Sequence, residues 1–309
     1  MSIKNVTVLG SGLMGNGLAH VFAQSEDINV ILRSRSKKSN PLGPIKANLD
    51  ILVSKDALTK EEAEGILSRI TFTDNMEEAL ADADFIVECV PEDMEIKQNL
   101  FRDIEPMCKP DAILATNTSV MSITEIASKT KDKSRVVGTH FWNPPYLIPL
   151  VEVVKAEETS EETMQRTMDL LTKVKKKPVR CEKDVPGFIA NRLQHAIWRE
   201  ALSIVENGIA DPKTVDDALK YGPGLRWSVL GILENADMIG LDLSLSIQSY
   251  IVKYLEDSHE ASKLLQELVA KGDLGFKTGK GYYTWTKEEM DALNLKLREH
   301  LIEATKKLK

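Results

Sequence analysis

The sequence predicts a doubly wound α/β unit with a mostly parallel sheet and a helical insertion after its second strand, followed by an all-α C-terminal domain. Three observations carry this reading. Short β-branched apolar runs alternate with helix-period segments over the first part of the chain. The first of those runs breaks into glycines at 10, 12 and 15 and then into a helical pattern. Beyond Asp184-Val-Pro-Gly-Phe188 the period turns helical almost throughout.

Taken in order, the run Val6-Thr-Val-Leu9 reads as the first strand. Gly10 permits the tight turn that leaves it, Gly12 lets a pyrophosphate approach the backbone, and Gly15 lets the next helix pack on the sheet. This strand, glycine loop and helix is the context that a Rossmann-type dinucleotide clamp requires, so Gly10, Gly12, Leu13, Met14 and Gly15 are candidate cofactor contacts. A helix over Leu18–Gln24 and a second strand over Ile28–Arg33 follow. That strand ends without the acid that would accept from a ribose 2′-hydroxyl. Arg33, Ser34 and Arg35 stand there instead, continuing through Ser36 to Lys38, and this favours NADP(H), with NAD(H) also admissible.

Pro44 to Arg69 reads as two inserted amphipathic helices, the second opening on the capping box Thr59-x-x-Glu62. The runs 84–90, 112–116 and 136–139 are short, apolar and followed by polar residues, as parallel strands with ligands at their C-terminal ends are. Runs 150–154 and 178–181 complete the sheet, with a helix between them begun by Thr159-x-x-Glu162. The dinucleotide-binding domain is thus expected over 1–183 and a helical substrate and dimerisation domain over 184–309. Within the latter, helices are expected over 188–207, 211–220, 229–239, 243–256 and 259–271, a loop or short extended piece over 275–285 and a charged helix from 286 onward.

With 309 residues, 42% of them hydrophobic and 28% charged, the chain has the composition of an ordinary globular protein with room for two cores. A net charge of −7 without a basic tract argues against nucleic acid or a membrane surface as partner. Cys89, Cys108 and Cys181 lack metal-ligand spacing, so no metal is expected, and they suit a reducing compartment. No leader precedes the first strand and no apolar run reaches membrane-spanning length, which points to a cytoplasmic location.

Oxidising a secondary alcohol against a nicotinamide requires a base for the hydroxyl proton. His140 directly follows the run 136–139 and has the side chain suited to reversible proton transfer near neutrality. Glu152, between Val151 and Val153, is expected to be buried and to orient and counter-charge that imidazole. His20, His195, His259 and His300 fall in helical patterns and are read as packing or surface residues.

Thr116-Asn-Thr-Ser119, His140-Phe-Trp-Asn143-Pro, Leu150-Val-Glu152-Val and Pro186-Gly-Phe-Ile-Ala-Asn191-Arg resemble the motifs of the L-3-hydroxyacyl-CoA dehydrogenase family. The likeness runs from the glycine loop to Lys277-Thr-Gly-Lys-Gly-Tyr-Tyr283. It implies that His140 is the catalytic base with Glu152 its partner, and that Ser119 and Asn191 bind the 3-oxygen and the thioester carbonyl. It further implies that Glu92, Lys97, Asn117, Asn143 and Lys277 contact the nicotinamide nucleotide. Lys55 matches a lysine that meets coenzyme A phosphates, while Asn48 stands where the family has a serine. Other segments, Asn143-Pro-Pro-Tyr-Leu-Ile-Pro-Leu150 and Gly224-Leu-Arg226-Trp among them, are closer to the lambda-crystallin, L-gulonate and L-carnitine dehydrogenase branch, in which the arginine matching Arg226 lies near a free acid. The resulting expectation is a short-chain 3-hydroxyacyl-CoA dehydrogenase using NADP(H) or NAD(H). The alternatives are a dehydrogenase of a small free 3-hydroxy acid and a catalytically silent nucleotide-binding protein. The resemblance also implies a homodimer through residues 190–285.

Overall fold

The computed structural model describes residues 3–35 and 40–306 and places every expected strand in one sheet. The strands are β1 (Asn5–Leu9), β2 (Asn29–Arg33), β3 (Ile70–Thr73), β4 (Phe85–Glu88), β5 (Ile113–Thr116), β6 (Val136–Phe141), β7 (Leu150–Val154) and β8 (Lys177–Cys181). Their order across the sheet is β3-β2-β1-β4-β5-β6-β7-β8. All pairs are parallel except β6 with β7. β4, β5 and β6 are buried along their whole length, which is why they read as unbroken apolar runs.

The helices are α1 (Leu13–Phe22), α2 (Gly43–Ser54), α3 (Lys60–Ser68), α4 (Met76–Leu80), α5 (Met94–Ile104), α6 (Ile123–Ile126) and α7 (Glu161–Lys173). After them come α8 (Ala190–Glu206), α9 (Pro212–Tyr221), α10 (Pro223–Trp227), α11 (Ile232–Ile239), α12 (Leu241–Ile251), α13 (Lys263–Ala270) and α14 (Lys287–Lys306). The chain forms two compact units, one running to Ala190 and taking in the chain again from Leu297, the other Asn191–Lys296. None of the described helices is long and apolar enough to cross a membrane.

Several boundaries differ from the sequence expectations. β3, α4 and α5 carry no separate expectation; β3 is Ile-Thr-Phe-Thr at the sheet edge, where alternate threonines break the apolar run that marks the buried strands. The helix after β7 is capped by Ser160, whose hydroxyl accepts from Thr163 N, and not by Thr159. Thr159 turns inward and donates to the Val136 carbonyl at 2.6 Å. The helix expected at 259 begins at Lys263, where Ser262 accepts from Leu265 N, so His259 lies outside it. Pro223 starts α10 as a short separate helix, since a proline suits the first turn. The Thr59 and Glu62 capping box of α3 is present as expected.

Candidate active site

The glycine loop divides into two crowded positions and one open one. A Cβ on Gly10 (φ +118°) would stand 2.7 Å from the Cys89 carbonyl oxygen, and one on Gly15 only 1.7 Å from that of Gly10. Those two glycines are required by the protein's own backbone. A Cβ on Gly12 would meet nothing within 4 Å, so the protein's own atoms do not crowd this position. Gly12 is also the N-cap of α1, which has no side-chain cap and no acid in its first turn. The N–H groups of that turn are therefore available to an anion, and the cradle fits a dinucleotide pyrophosphate. Leu13 is exposed, while Met14 packs on the core.

At the end of β2, burial and then the charge of Arg35 pull the Arg33 guanidinium below its usual range, against the opposing pull of Asp74. Ser34 N donates to the Thr73 carbonyl at 3.2 Å and Arg35 is exposed. Ser36, Lys37 and Lys38 lie outside the described residues. Asp74, one residue past β3, is an acid near the β2 end that strand 2 alone does not reveal.

Beyond β4 and β5 a chain of polar groups converges. Glu88, the last residue of β4, is buried against Lys97 Nζ at 2.7 Å, and it accepts from the Thr116 hydroxyl and from Val90 N. Lys97 also lies 3.2 Å from Glu92, which accepts from the Thr118 hydroxyl and, at 3.0 Å, from Ser119 N. Burial opposes the charge on Glu92, but Thr118, Lys97 and the Ser119 N–H together hold its carboxyl below the usual range. Glu92, Lys97 and Ser119 thus form one connected group. Asn117 Oδ1 accepts from Phe141 N at 2.9 Å and fastens the end of β5 to β6. Glu88 was not a candidate from sequence, although a carboxylate closing an apolar parallel strand is itself a signal.

The antiparallel register of β6 and β7 sets His140 directly opposite Glu152. Nδ1 of His140 lies 2.8 Å from Glu152 Oε2. Trp142 Nε1 donates to the same oxygen at 3.2 Å, and the other oxygen accepts from Ile189 N at 2.8 Å and Ala190 N at 2.9 Å. Burial opposes ionisation of Glu152, yet the hydrogen bonds from His140, Ala190, Ile189 and Trp142 outweigh it and hold the carboxyl below its ordinary range. Because an ionised carboxylate only accepts, it draws the imidazole proton to Nδ1 and turns the lone pair to Nε2. The rings of Trp142 and Phe188, each 5.7 Å from that of His140, wall the pair.

Asn143 lies in the segment that follows β6, which is held from beneath. Buried Lys176 donates to the carbonyls of Pro145 and Ile148, and burial lowers it to about 8. His20 stacks on Tyr146 at 5.3 Å; burial, with a smaller push from Lys176, lowers it to about 3, so it is neutral near pH 7. The hydroxyl of Tyr146 donates to Asn48 Oδ1 on α2 at 3.2 Å. Lys55, at the C-terminal end of α2, is ion-paired with Glu299 at 2.6 Å. Both α2 residues expected at a coenzyme A are therefore engaged within the protein. Asn191, Arg226 and Lys277 belong to the helical unit. Asn191 is the second residue of α8, Arg226 is exposed on α10, and Lys277 is exposed between Gly275 and Gly279, both at positive φ.

Residues 5–185 match the family model for the 3-hydroxyacyl-CoA dehydrogenase NAD binding domain, and residues 187–285 that for the 3-hydroxyacyl-CoA dehydrogenase C-terminal domain. A probable 3-hydroxyacyl-CoA dehydrogenase of Caenorhabditis elegans is 40% identical over 294 residues, covering 93% of this chain and 97% of its own. The 3-hydroxybutyryl-CoA dehydrogenase of Clostridioides difficile is 37% identical over 284 residues, 91% of this chain and 99% of its own. The 5-formyl-3-hydroxy-2-methylpyridine 4-carboxylate 5-dehydrogenase of Mesorhizobium japonicum is 31% identical over 303 residues, 97% of this chain and 96% of its own. A crystal structure of 5-formyl-3-hydroxy-2-methylpyridine 4-carboxylic acid 5-dehydrogenase, described as an NAD+ dependent dismutase, superposes with a TM-score of 0.90 at 30% identity over 99% of this chain and 98% of that one. The (S)-3-hydroxybutyryl-CoA dehydrogenase of Ralstonia eutropha superposes with a TM-score of 0.78 at 31% identity over 93% of this chain and 100% of that one.

Proposed function

This chain belongs to the 3-hydroxyacyl-CoA dehydrogenase family, and from that premise we propose that it interconverts a small 3-hydroxy acid and its 3-oxo counterpart, with His140 moving the proton. The observation that carries the reaction is the buried His140 and Glu152 pair. A bound nicotinamide supplies the acceptor of hydride in oxidation and the donor in reduction. In oxidation His140 Nε2 takes the hydroxyl proton as the carbon gives up hydride, and Glu152 stabilises the resulting imidazolium through Nδ1. Ser119 and Asn191 are proposed to hold the 3-oxygen and the carboxyl end of the substrate. Glu92, Lys97, Asn117, Asn143 and Lys277 are proposed to line the cofactor.

The cofactor proposed is NAD(H). Enzymes of the family are NAD-dependent, and the preference for NADP(H) expected from Arg33, Ser34 and Arg35 finds no support among them. Asp74 beside Arg33 offsets part of the positive charge that a 2′-phosphate would need. As to the substrate, the sequence pointed first to a CoA thioester, through the inserted helical pair that carries Lys55 and the segment Lys277-Thr-Gly-Lys-Gly-Tyr-Tyr283, with Asn48 and Arg226 weighing against it. Engagement of Lys55 by Glu299 and of Asn48 by Tyr146 moves the better reading to a free acid. The likeness at TM-score 0.90 to a dehydrogenase of a pyridine carboxylate supports it. The CoA thioester is the second reading, favoured by the relatives named for 3-hydroxybutyryl-CoA. Following NADH and NADPH absorbance with acetoacetate and with acetoacetyl-CoA decides between them. NADH is expected to be consumed faster than NADPH, and with acetoacetate. Turnover of acetoacetyl-CoA alone would install the second reading, and silence toward both would leave a nucleotide-binding protein without turnover.

The helical unit is proposed to pair with a second copy. No described residue of 191–296 is buried in the single chain. Leu225, Val229, Leu233 and Leu245 are between 68% and 88% exposed, more apolar surface than a monomer ordinarily presents. Light scattering is expected to give twice the chain mass at micromolar concentration; a folded monomer there would end the proposal.

A further inference from the structure

The carboxylate of Glu152 has its acceptor positions filled. Oε1 takes the N–H groups of Ile189 and Ala190, and Oε2 takes Nδ1 of His140 at 2.8 Å and Nε1 of Trp142 at 3.2 Å. A carboxylate offers about four such positions, and this one is fully buried, so no solvent donor substitutes for any of the four. Two of the donors are backbone and one is an indole, none of which changes charge. Only His140 does, and it shares its oxygen with Trp142.

The fold puts Trp142 there through strand geometry. Side chains alternate along a strand, so Trp142, one residue past the end of β6, stands on the same face as His140. Because His140 lies opposite Glu152 in the antiparallel register, Trp142 is the diagonal neighbour of that glutamate. Its half-buried ring is tilted 52° against the imidazole. An indole N–H donates and never accepts, so it holds Oε2 whatever the protonation of His140.

Two donors on one oxygen compete, since each draws on the negative charge that the other bonds to. When His140 gains a proton on Nε2, its Nδ1–H pulls harder on Oε2, and the gain is reduced by what the indole already draws. The same indole is among the donors that hold the Glu152 carboxyl below its ordinary range. A carboxylate satisfied in advance gains less from an imidazolium. The titratable groups next to the pair do not offset this. Cys181 on β8 feels Glu152, but burial pushes its thiol up and its Sγ donates to the Lys183 carbonyl. Glu182 is paired with Arg180, and Asp184 accepts from Ser122 and Thr124.

We propose that Trp142 is a positioning residue that sets the base strength of His140, by holding part of the Glu152 oxygen on which the imidazolium depends. This rests on His140 being the base of the reaction proposed above. The consequence is a weaker base than the His140 and Glu152 pair alone would make, one that gives its proton back more readily in reduction.

Trp142→Phe removes the N–H and keeps an aromatic ring against His140. The pH profile of kcat/KM for oxidation is measured with NAD+ and whichever of 3-hydroxybutyrate and its coenzyme A thioester is turned over. The acid limb is expected to move to higher pH, so that the ratio of kcat/KM on that limb to its plateau value falls roughly 3-fold, the order of a change in one hydrogen bond to a charged group. Carbethoxylation of His140, followed by mass spectrometry of its peptide, reads the same property without turnover, because diethyl pyrocarbonate attacks only the neutral imidazole. Relative to its rate at about pH 8, modification at about pH 5.5 is expected to be roughly 3-fold slower in the variant than in the wild type. Replacing Trp142 by benzothienylalanine, which puts sulfur in place of the N–H at nearly the same shape, is expected to reproduce both shifts and serves if the phenylalanine variant does not fold. A limb and a carbethoxylation profile that stay where they are, with activity changed by one factor at every pH, would reduce Trp142 to packing and overturn the proposal. Wild-type protein that oxidises neither substrate would defeat the functional reading alone, since carbethoxylation still decides the role of Trp142.

Discussion

Replacing His140 with alanine is expected to lower kcat by roughly 10²–10⁴ while leaving the dissociation constant for NADH close to that of the wild type. The imidazole is the group placed to take the hydroxyl proton, with its Nδ1 committed to Glu152 and Nε2 therefore carrying the lone pair. No atom of it belongs to the glycine loop or to the Glu88, Lys97 and Glu92 group, so the loss falls on the chemical step and not on cofactor binding. Glu152 keeps its donors from Trp142, Ile189 and Ala190 in the variant, which limits the structural damage of leaving a buried carboxylate without its histidine. Steady-state kinetics together with quenching of protein fluorescence by NADH separates the two quantities. Near-normal kcat in a folded variant would remove His140 from the mechanism.

Glu152→Gln is expected to cost kcat roughly 10³–10⁴-fold, for a reason that is electronic and not steric. The amide oxygen can still accept from Ile189 N and Ala190 N, since those two donors share one carboxylate oxygen. Its NH2 then faces Nδ1 of His140 and Nε1 of Trp142, where the wild type presents an acceptor. Two donors cannot bond one another, so the imidazole proton shifts to Nε2, the nitrogen that must receive the substrate's proton. The tautomer is wrong, and the imidazolium has lost its counter-charge. A melting temperature within a few degrees of the wild type, measured beside kcat, identifies the loss as one of proton chemistry. A variant retaining a tenth of wild-type kcat would show that Glu152 serves only to hold the strand pair together.

Much of the α/β unit was legible because its signals are local. An apolar run, a glycine spacing or a capping box is complete within a dozen residues, and β1 with its glycine loop and the Thr59 box of α3 are where those signals put them. The misses arise where a local signal is shared by neighbouring residues. Ser160 and Thr159 are both competent caps by residue type, and only the pull of the Val136 carbonyl on Thr159 decides which is free to cap α7. His259 sat in a helical period that begins only at Ser262, because the hydroxyl there caps Leu265 N. The candidate site was legible as a set of residue types at strand ends, but not as an arrangement.

The sequence by itself determined the doubly wound unit, the dinucleotide cradle and the pairing of a histidine with an acid as the chemistry on offer, since each depends on residues near one another along the chain. Tertiary structure decided everything that joins distant segments. His140 meets Glu152 because β6 and β7 run antiparallel in a register that sets them opposite, and one residue of slippage would turn Glu152 to the other face of the sheet. Glu152 is held ionised by backbone N–H groups of residues 189 and 190, far along the chain from it. Lys55, an unpartnered cation by sequence, is an ion-paired one in the fold, because a glutamate 244 residues later comes to rest on it. Local periodicity specifies which elements form; the charge state and partners of a side chain follow from the packing of those elements, and packing is not periodic.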